Sequence, residues 1–101
     1  MLQIKVIANK TNVVQTKDVA DGDWAVLLGR HSECDIVLSG SDVSRNHARL
    51  LSCNGQIFIE DLGSTAGTFL NNEKIPETTS VKMGDIIKIA NYEIVLSGNS
   101  H

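Results

Sequence analysis

Residues 47–62 read HARLLSCNGQIFIEDL, and this stretch decides the fold class of the chain. Two short runs rich in apolar residues flank the dipeptide Asn54-Gly55. Both residues of the dipeptide tolerate a positive φ, which a two-residue type I′ turn requires. The stretch therefore predicts a β-hairpin whose strands lie near 47–53 and 56–62.

The rest of the chain shows the same pattern of short apolar alternations separated by turn signals, without sustained helical periodicity. The alternating apolar positions outside the hairpin are Leu2, Ile4 and Val6, then Ile87 and Ile89, then Tyr92, Ile94 and Leu96. The turn signals are Asp21-Gly22-Asp23, Ser39-Gly40-Ser41, Asn71-Asn72 and Gly84-Asp85. Ten or so short strands at this spacing are typical of two packed antiparallel sheets. We therefore predict an all-β antiparallel β-sandwich.

The size and composition of the chain fit one globular domain. Its 101 residues are enough for one domain and too few for two. A hydrophobic share of 42% supplies enough apolar surface to offset the entropy lost on folding. We predict a single domain over residues 1–97, followed by a polar tail, 98–101, that frays.

Charge and hydropathy exclude several classes of partner. The net charge of −3 argues against a broad grip on nucleic acid, which needs a basic face. The longest purely apolar run, 24–28, is too short to insert into a membrane. Two cysteines, Cys34 and Cys53, are too few for a disulfide scaffold or a four-thiolate zinc site. We therefore expect reduced thiols, a cytoplasmic domain, and neither a metal nor another cofactor.

Polar loops interrupt the strand pattern at 29–46 and 63–67, and all three arginines of the chain lie within 30–49. Loops held by a rigid sheet are common positions for binding residues. Arginine presents a planar fork of donors that suits carboxylate or phosphate. The loops therefore predict a local anion site within an acidic domain.

His47 allows two interpretations. A structural histidine, hydrogen-bonded within its loop, is the simpler one. The other is a hydrolase relay built from Ser44, His47 and either Asp35 or Asp42, but Ser44 does not lie in the Gly-x-Ser-x-Gly turn that exposes such a nucleophile. A redox role for Cys34 would need a lowered thiol pKa.

Five motifs in fixed order give the chain a specific resemblance. They are Leu28-Gly29-Arg30, residues 34–38 (CDIVL), Ser44-Arg45-Asn46-His47-Ala48, residues 61–71 (DLGSTAGTFLN) and residues 83–87 (MGDII). In this combination the chain resembles a forkhead-associated (FHA) domain, from about residue 2 to residue 96. The resemblance implies a β-sandwich of about eleven strands whose loops at one end bind an extended peptide containing phosphothreonine.

The resemblance also implies a role for each motif residue. Arg30 and Ser44 are expected to contact the phosphate, Arg45 the phosphate or the peptide, and Thr65, helped by Ser64, the other side of the phosphate. The supporting residues are expected to be Gly29, His47, Ala66, Gly67 and Asn71. The implied partner is a phosphothreonine-containing protein that is a substrate of a Ser/Thr kinase. The implied domain is no enzyme, binds neither nucleic acid nor membrane, and acts as a monomer or as part of a larger chain.

Ala66 departs from the family pattern, which usually has an asparagine there that holds the main chain of the peptide. Alanine has no side-chain donor or acceptor. One net hydrogen bond contributes roughly 0.5–1.5 kcal/mol, so we expect binding to weaken but persist. The departure leaves an alternative open, an adaptor of the same fold that binds its partner without phosphate.

Overall fold

The computed structural model describes residues 2–8 and 12–98, and all regular secondary structure in these ranges is β-strand. Eleven strands follow one another through these residues: β1 (Leu2–Ala8), β2 (Asn12–Val19), β3 (Trp24–Gly29), β4 (Ile36–Val37), β5 (Ala48–Cys53), β6 (Gln56–Asp61), β7 (Phe69–Leu70), β8 (Glu73–Lys74), β9 (Thr78–Val81), β10 (Ile86–Ile89) and β11 (Tyr92–Gly98). The described ranges contain no helix that is long and apolar enough to cross a membrane.

The strands form two sheets. One sheet has the order β2-β1-β11-β10-β7-β8, and the other has the order β4-β3-β5-β6-β9. Neighbouring strands run antiparallel, except that β3 and β4 pair in parallel through Leu28 and Ile36. The predicted all-β sandwich of about eleven strands is confirmed, and the parallel pair makes one of its sheets mixed.

The hairpin that decided the fold class forms as predicted. Strands β5 and β6 pair antiparallel. The turn residues Asn54 and Gly55 have φ values of 52° and 80°, the positive pair that a type I′ turn needs. Asn71 and Asn72, with φ values of 50° and 70°, form the turn that joins β7 to β8. Both turns use residue types that accept this backbone conformation at low cost.

The core lies between the sheets and consists of the inward positions of the alternating strands. Its fully buried members include Ile4, Val6, Leu28, Ala48, Leu50, Ile59, Ile89 and Ile94. Side chains on a strand point alternately to its two faces, so the apolar alternation in the sequence becomes one continuous apolar layer. This packed layer is the rigid base from which the connecting loops project.

Two segments near the ends of the described residues form strands beyond those that the alternation predicted. Strand β2 was not predicted, because only Val19 at its end is buried and the rest of the strand lies at a sheet edge, where Val13 and Val14 are exposed beside polar residues. Strand β11 continues through Ser97 to Gly98, which pairs with Leu2, so the first residue of the predicted tail lies in the sheet. Residues 99–101 of the predicted tail lie outside the described residues.

Candidate phosphate-binding site at the loop end

Two loop segments at one end of the sandwich are joined by main-chain hydrogen bonds. The Arg30 N–H donates to the Ser44 carbonyl at 3.0 Å, and the His31 N–H donates to the Arg45 carbonyl at 3.2 Å. At Gly29 the segments approach so closely that a Cβ atom would lie 2.1 Å from the Arg45 carbonyl oxygen. Only glycine fits there, and the close approach fixes the main chain at Arg30 relative to that at Ser44.

His47 connects this pair of segments to the third loop. Its ring is fully buried. The Ser44 N–H donates to Nδ1 at 3.0 Å, and Nε2 lies 2.9 Å from the Gly67 carbonyl oxygen. Because Nδ1 accepts a hydrogen bond, the ring proton resides on Nε2 and is donated to Gly67. The ring therefore connects two loops through hydrogen bonds to their main chains.

The same contacts bear on the hydrolase interpretation. Both ring nitrogens of His47 are bonded to main-chain groups, so neither faces the Ser44 hydroxyl as an acceptor. One carboxylate oxygen of Asp35 accepts the Leu27 N–H at 2.8 Å. The arrangement therefore lacks the serine–histidine hydrogen bond that nucleophile activation requires.

The loop between β6 and β7 is organised around Asp61. Its carboxylate accepts hydrogen bonds from the Ser64 hydroxyl, from the Ser64 N–H at 3.2 Å and from the Thr68 hydroxyl at 2.8 Å. Burial raises the pKa of Asp61, but the hydrogen bonds from Ser64 and Thr68 together outweigh it and hold the pKa below its ordinary value. The carboxylate thus remains ionised and fixes the shape of the loop.

Ser64 forms hydrogen bonds within its own loop. Its hydroxyl donates to Asp61 and accepts the Gly67 N–H at 3.0 Å, so both its proton and an acceptor site are used within the loop. Ser64 is also absent from the residues that line the cleft described next. These contacts give Ser64 a role in shaping its loop, and its predicted help in binding the phosphate stays a prediction.

Four of the five predicted contact residues line one cleft of about 320 Å³. Its lining residues are Arg30, Ser41, Asp42, Val43, Ser44, Arg45, Thr65 and Ala66. The Thr65 N–H donates to the Ser44 hydroxyl oxygen at 3.1 Å, which joins the two walls of the cleft. We refer to this space as the cleft.

The cleft contains several hydrogen-bond donors that are available to a ligand. Nε of Arg30 donates to the Val43 carbonyl at 3.0 Å, which orients the guanidinium and leaves its terminal nitrogens without a partner among residues 2–8 and 12–98. The Ser44 oxygen accepts from Thr65, which leaves its proton to donate. The Arg45 side chain is exposed and forms no ion pair within the same ranges. Such a set suits an anion with several acceptor oxygens.

Two predicted supporting residues take separate positions. Ala66 lies in the wall of the cleft and contributes no polar side-chain group. Asn71 lies outside the cleft, where its side-chain amide donates to Asp85 at 3.0 Å and its side-chain oxygen accepts the Ile86 N–H at 3.0 Å. Asn71 thereby ties the β7–β8 turn to the start of β10.

Cys34 contacts the main chain of Arg45, one of the cleft residues. The buried thiol donates to the Arg45 carbonyl at 3.3 Å. Burial raises the pKa of the Cys34 thiol, which disfavours the reactive thiolate. Neither Cys34 nor Cys53 forms a disulfide, and no cluster of three metal-ligating side chains occurs among the residues that the structure describes.

Ser41, Asp42 and Val43 line the cleft without having been predicted as site residues, and Asp42 had been considered only as the acid of a hydrolase. Asp42 lines the cleft as a carboxylate among cationic and neutral donors. Its position two residues before Ser44, in the same loop, was the available signal. Whether a loop side chain faces a cleft depends on the loop conformation, which residue type alone does not fix.

The fold and the cleft together define a class of protein: a β-sandwich interaction module with an anion site built by loops at one end. The FHA domain model matches residues 26–90, which is more than half of the chain. The chain therefore belongs to the FHA domain family.

Curated relatives match part of this chain. It is 36% identical over 75 residues to the FHA domain-containing protein FhaB of Mycolicibacterium smegmatis, covering 74% of this chain and 48% of that protein. It is 46% identical over 59 residues to the protein phosphatase 1 regulatory inhibitor subunit PPP1R8 homolog of Arabidopsis thaliana, covering 56% of this chain and 16% of that protein. The chain spans about half the length of the first relative and less of the second.

Solved structures share the fold over nearly the whole chain. The FHA domain of the CT664 protein from Chlamydia trachomatis superposes with a TM-score of 0.86 at 26% identity, covering 98% of each chain. Mycobacterium tuberculosis EmbR, solved in complex with a low-affinity phosphopeptide, superposes with a TM-score of 0.79 at 27% identity, covering 98% of this chain and 26% of EmbR.

Proposed function

We propose that this domain binds a phosphothreonine in an extended segment of a partner protein and so mediates a phosphorylation-dependent protein–protein interaction. The observation that carries the proposal is the convergence of Arg30, Ser44, Arg45 and Thr65 on one cleft. Phosphothreonine carries about −1.5 to −2 charges at neutral pH and three acceptor oxygens, which match this set of donors.

The energetics of the cleft fit recognition of a short peptide. Arg30 supplies charge and forked donors, while Ser44 and Thr65 supply neutral hydroxyls. A charge-assisted hydrogen bond contributes roughly 1.5–3 kcal/mol. A few such bonds, with some main-chain contact, suffice for a dissociation constant of about 1 μM. The related EmbR structure contains a phosphopeptide, which supports the same ligand class for this chain.

The proposal extends to the setting of the interaction. The partner is a protein phosphorylated by a Ser/Thr kinase, and the domain acts as a monomeric module or as one part of a longer chain. Its two free cysteines suit a reducing, cytoplasmic compartment. We propose no catalytic activity, because His47 is engaged by main-chain groups on both ring nitrogens.

Isothermal titration calorimetry tests the proposal directly. An oriented phosphothreonine library first identifies a binding sequence, and the same peptide is then titrated with threonine, phosphothreonine or phosphoserine at the central position. We expect micromolar binding of the phosphothreonine peptide and at least about a hundredfold weaker binding of the threonine peptide, since the charge-assisted bonds are lost. Equal affinity of the two would overturn the proposal.

A second candidate function is an adaptor that binds its partner without phosphate, and the observation that favours it is Ala66. This position lies in the cleft wall and offers no polar group to hold a peptide main chain. The titration with the unphosphorylated peptide separates the two candidates, because only the adaptor retains its affinity.

A further inference from the structure

The cleft is continuous with a larger hollow, and Asp42 stands where they meet. A hollow of about 410 Å³, which we call the side hollow, is lined by residues that include Asp42, Ala66, Phe69, Lys88 and Ala90. It shares Asp42 and Ala66 with the cleft. A third hollow, of about 310 Å³, also has Asp42 in its lining. Asp42 therefore lies beside both of the hollows that adjoin the cleft.

Asp42 presents a carboxylate that is in no ion pair within residues 2–8 and 12–98. Its side chain is exposed and makes no hydrogen bond or ion pair with any residue in 2–8 and 12–98. The cations of the cleft, Arg30 and Arg45, form no ion pair with it. In the proposed complex those arginines are engaged by phosphate, which leaves the Asp42 carboxylate to meet the flanking part of the ligand.

Lys88, the cation of the side hollow, is less available to a ligand. Strands β10 and β11 place Lys88 directly opposite Glu93. Directly opposite residues of an antiparallel pair share one face, with their Cβ atoms about 5 Å apart. Glu93 therefore offsets part of the charge of Lys88, whereas the arginines that share the cleft with Asp42 are engaged by phosphate in the proposed complex. In that complex the side hollow favours a positively charged ligand group.

The walls of the side hollow also suit a long basic side chain. Ala66, Phe69 and Ala90 provide apolar surface beside the Asp42 carboxylate. Lysine and arginine bury their hydrocarbon stems along apolar surface while their charged ends stay in water or meet a partner. An acidic side chain in the same place would face Asp42 and be repelled.

We propose that the ligand carries an arginine or lysine close to the phosphothreonine, and that this basic side chain packs in the side hollow with its charged end at Asp42. The inference rests on the proposed function, since the phosphate sets the register of the peptide. It adds a sequence preference to that function: a basic flanking residue is selected and an acidic one rejected.

The test uses alanine-flanked phosphothreonine peptides in which each flanking position in turn carries arginine, glutamine or glutamate. At one flanking position we expect the arginine peptide to bind about two- to fivefold more tightly than the glutamine peptide, which is the effect of an exposed ion pair. At the same position the glutamate peptide should bind more weakly than the glutamine peptide. In Asp42→Asn the ratio of the arginine to the glutamine affinity at that position falls to about one. Glu33→Gln is the matched control, because it removes one exposed carboxylate that lines none of the three hollows and should keep the ratio.

The outcomes distinguish failure of this inference from failure of the proposed function on which it rests. Phosphate-dependent binding without a basic preference, or with a preference that persists in Asp42→Asn, overturns the inference and leaves the proposed function standing. A preference lost equally in Glu33→Gln also overturns it, because the cause would then be the overall charge. Binding that does not depend on the phosphate overturns both.

Discussion

At the scale of single residues, Ser44 shows how the loops impose a direction on a donor. Its N–H donates to His47 and its carbonyl accepts from Arg30. Its hydroxyl oxygen accepts from Thr65. The hydroxyl proton of Ser44 is then left to bind a ligand, and three hydrogen bonds hold the residue that carries it. Such preorganisation lowers the entropy lost on binding.

Arg30→Ala tests the assignment of the anion site. We expect at least about a tenfold loss of phosphopeptide affinity, because charge-assisted hydrogen bonds contribute roughly 1.5–3 kcal/mol. The fold should persist, because the side chain is exposed and makes one hydrogen bond, to Val43. Calorimetric titration measures the affinity and chemical denaturation the stability. Arg49→Ala is the control, since Arg49 pairs with Glu60 on a sheet surface. A parental affinity in Arg30→Ala would show that the cleft is not the phosphate site.

Ala66→Asn tests whether the cleft lacks only a main-chain contact. An asparagine would add a donor and an acceptor in the cleft wall, at an exposed position. We expect affinity for an alanine-flanked phosphothreonine peptide to rise about threefold to tenfold, the effect of one net hydrogen bond. Leucine is similar in shape to asparagine but has no polar side-chain atoms, so Ala66→Leu should show no gain in affinity. An equal gain in both variants, or none in Ala66→Asn, would count against the missing contact.

Residue identity indicates which side chains can donate hydrogen bonds but does not fix which hydroxyls line the cleft. Ser64 and Thr65 are adjacent and chemically alike. Ser64 is captured by Asp61, three residues earlier, and Thr65 faces the cleft. That choice depends on the loop conformation, which the buried His47 helps to fix through Gly67. The contact between His47 and Gly67 joins residues far apart in the chain, so it cannot be predicted from the spacing of residue types.

At the scale of elements, strands with a buried face were predictable and edge strands were not. In β1 and β5, apolar residues alternate because one face contacts the core. Strands β2 and β9 lie at sheet edges, and each has a single buried residue. A polar edge strand is stabilised by its ladder hydrogen bonds, and these leave no periodic signal in the side chains.

Gly29→Ala tests the junction between β3 and the loop before β5. The added Cβ would lie 2.1 Å from the Arg45 carbonyl oxygen, so the two segments would have to separate. We expect the free energy of unfolding to fall by about 1–3 kcal/mol, as in other overpacked sites, and phosphopeptide affinity to fall with it. Chemical denaturation and titration measure the two effects.

The matched control for this junction is Gly98→Ala. There the nearest atom to an added Cβ is Met83 Cε at 3.5 Å, an ordinary contact, and φ is not positive. This variant should keep the parental stability to within about 0.5 kcal/mol. If Gly29→Ala were equally stable, the close approach of the two segments would not constrain the loop.

At the scale of the whole molecule, the site exists because the sandwich topology brings three loops to one end. Arg30 follows β3, Ser44 precedes β5, and Thr65 lies between β6 and β7. Strands β3, β5 and β6 are neighbours in one sheet, so their loops emerge side by side. The β5–β6 pairing followed from a local turn. The placement of β3 beside β5 is a non-local contact, which the motifs of the family implied and the periodicity of the sequence did not.

The stability of the whole molecule should depend on pH through Asp61 and Asp85. Hydrogen bonds from the Asn71 side chain and the Lys82 N–H lower the pKa of Asp85, and those from Ser64 and Thr68 outweigh burial to lower that of Asp61. A carboxyl whose pKa is lower in the folded state stabilises the fold above its unfolded pKa, which is about 4. That contribution is lost as the pH falls through the lower, folded pKa. The free energy of unfolding should therefore decline below about pH 4.

Asp61→Asn tests how much of the pH dependence of stability arises from Asp61, in the loop beside the cleft. At pH 7 the variant should be less stable than the parent by about 1–3 kcal/mol, because ionised acceptors form the stronger hydrogen bonds. The difference should shrink in acid, where the parental carboxyl is protonated and resembles the amide in charge. Denaturation curves between neutral pH and pH 3 measure this convergence. A constant gap between Asp61→Asn and the parent would mean that Asp61 shapes its loop through geometry alone, without any contribution from its charge.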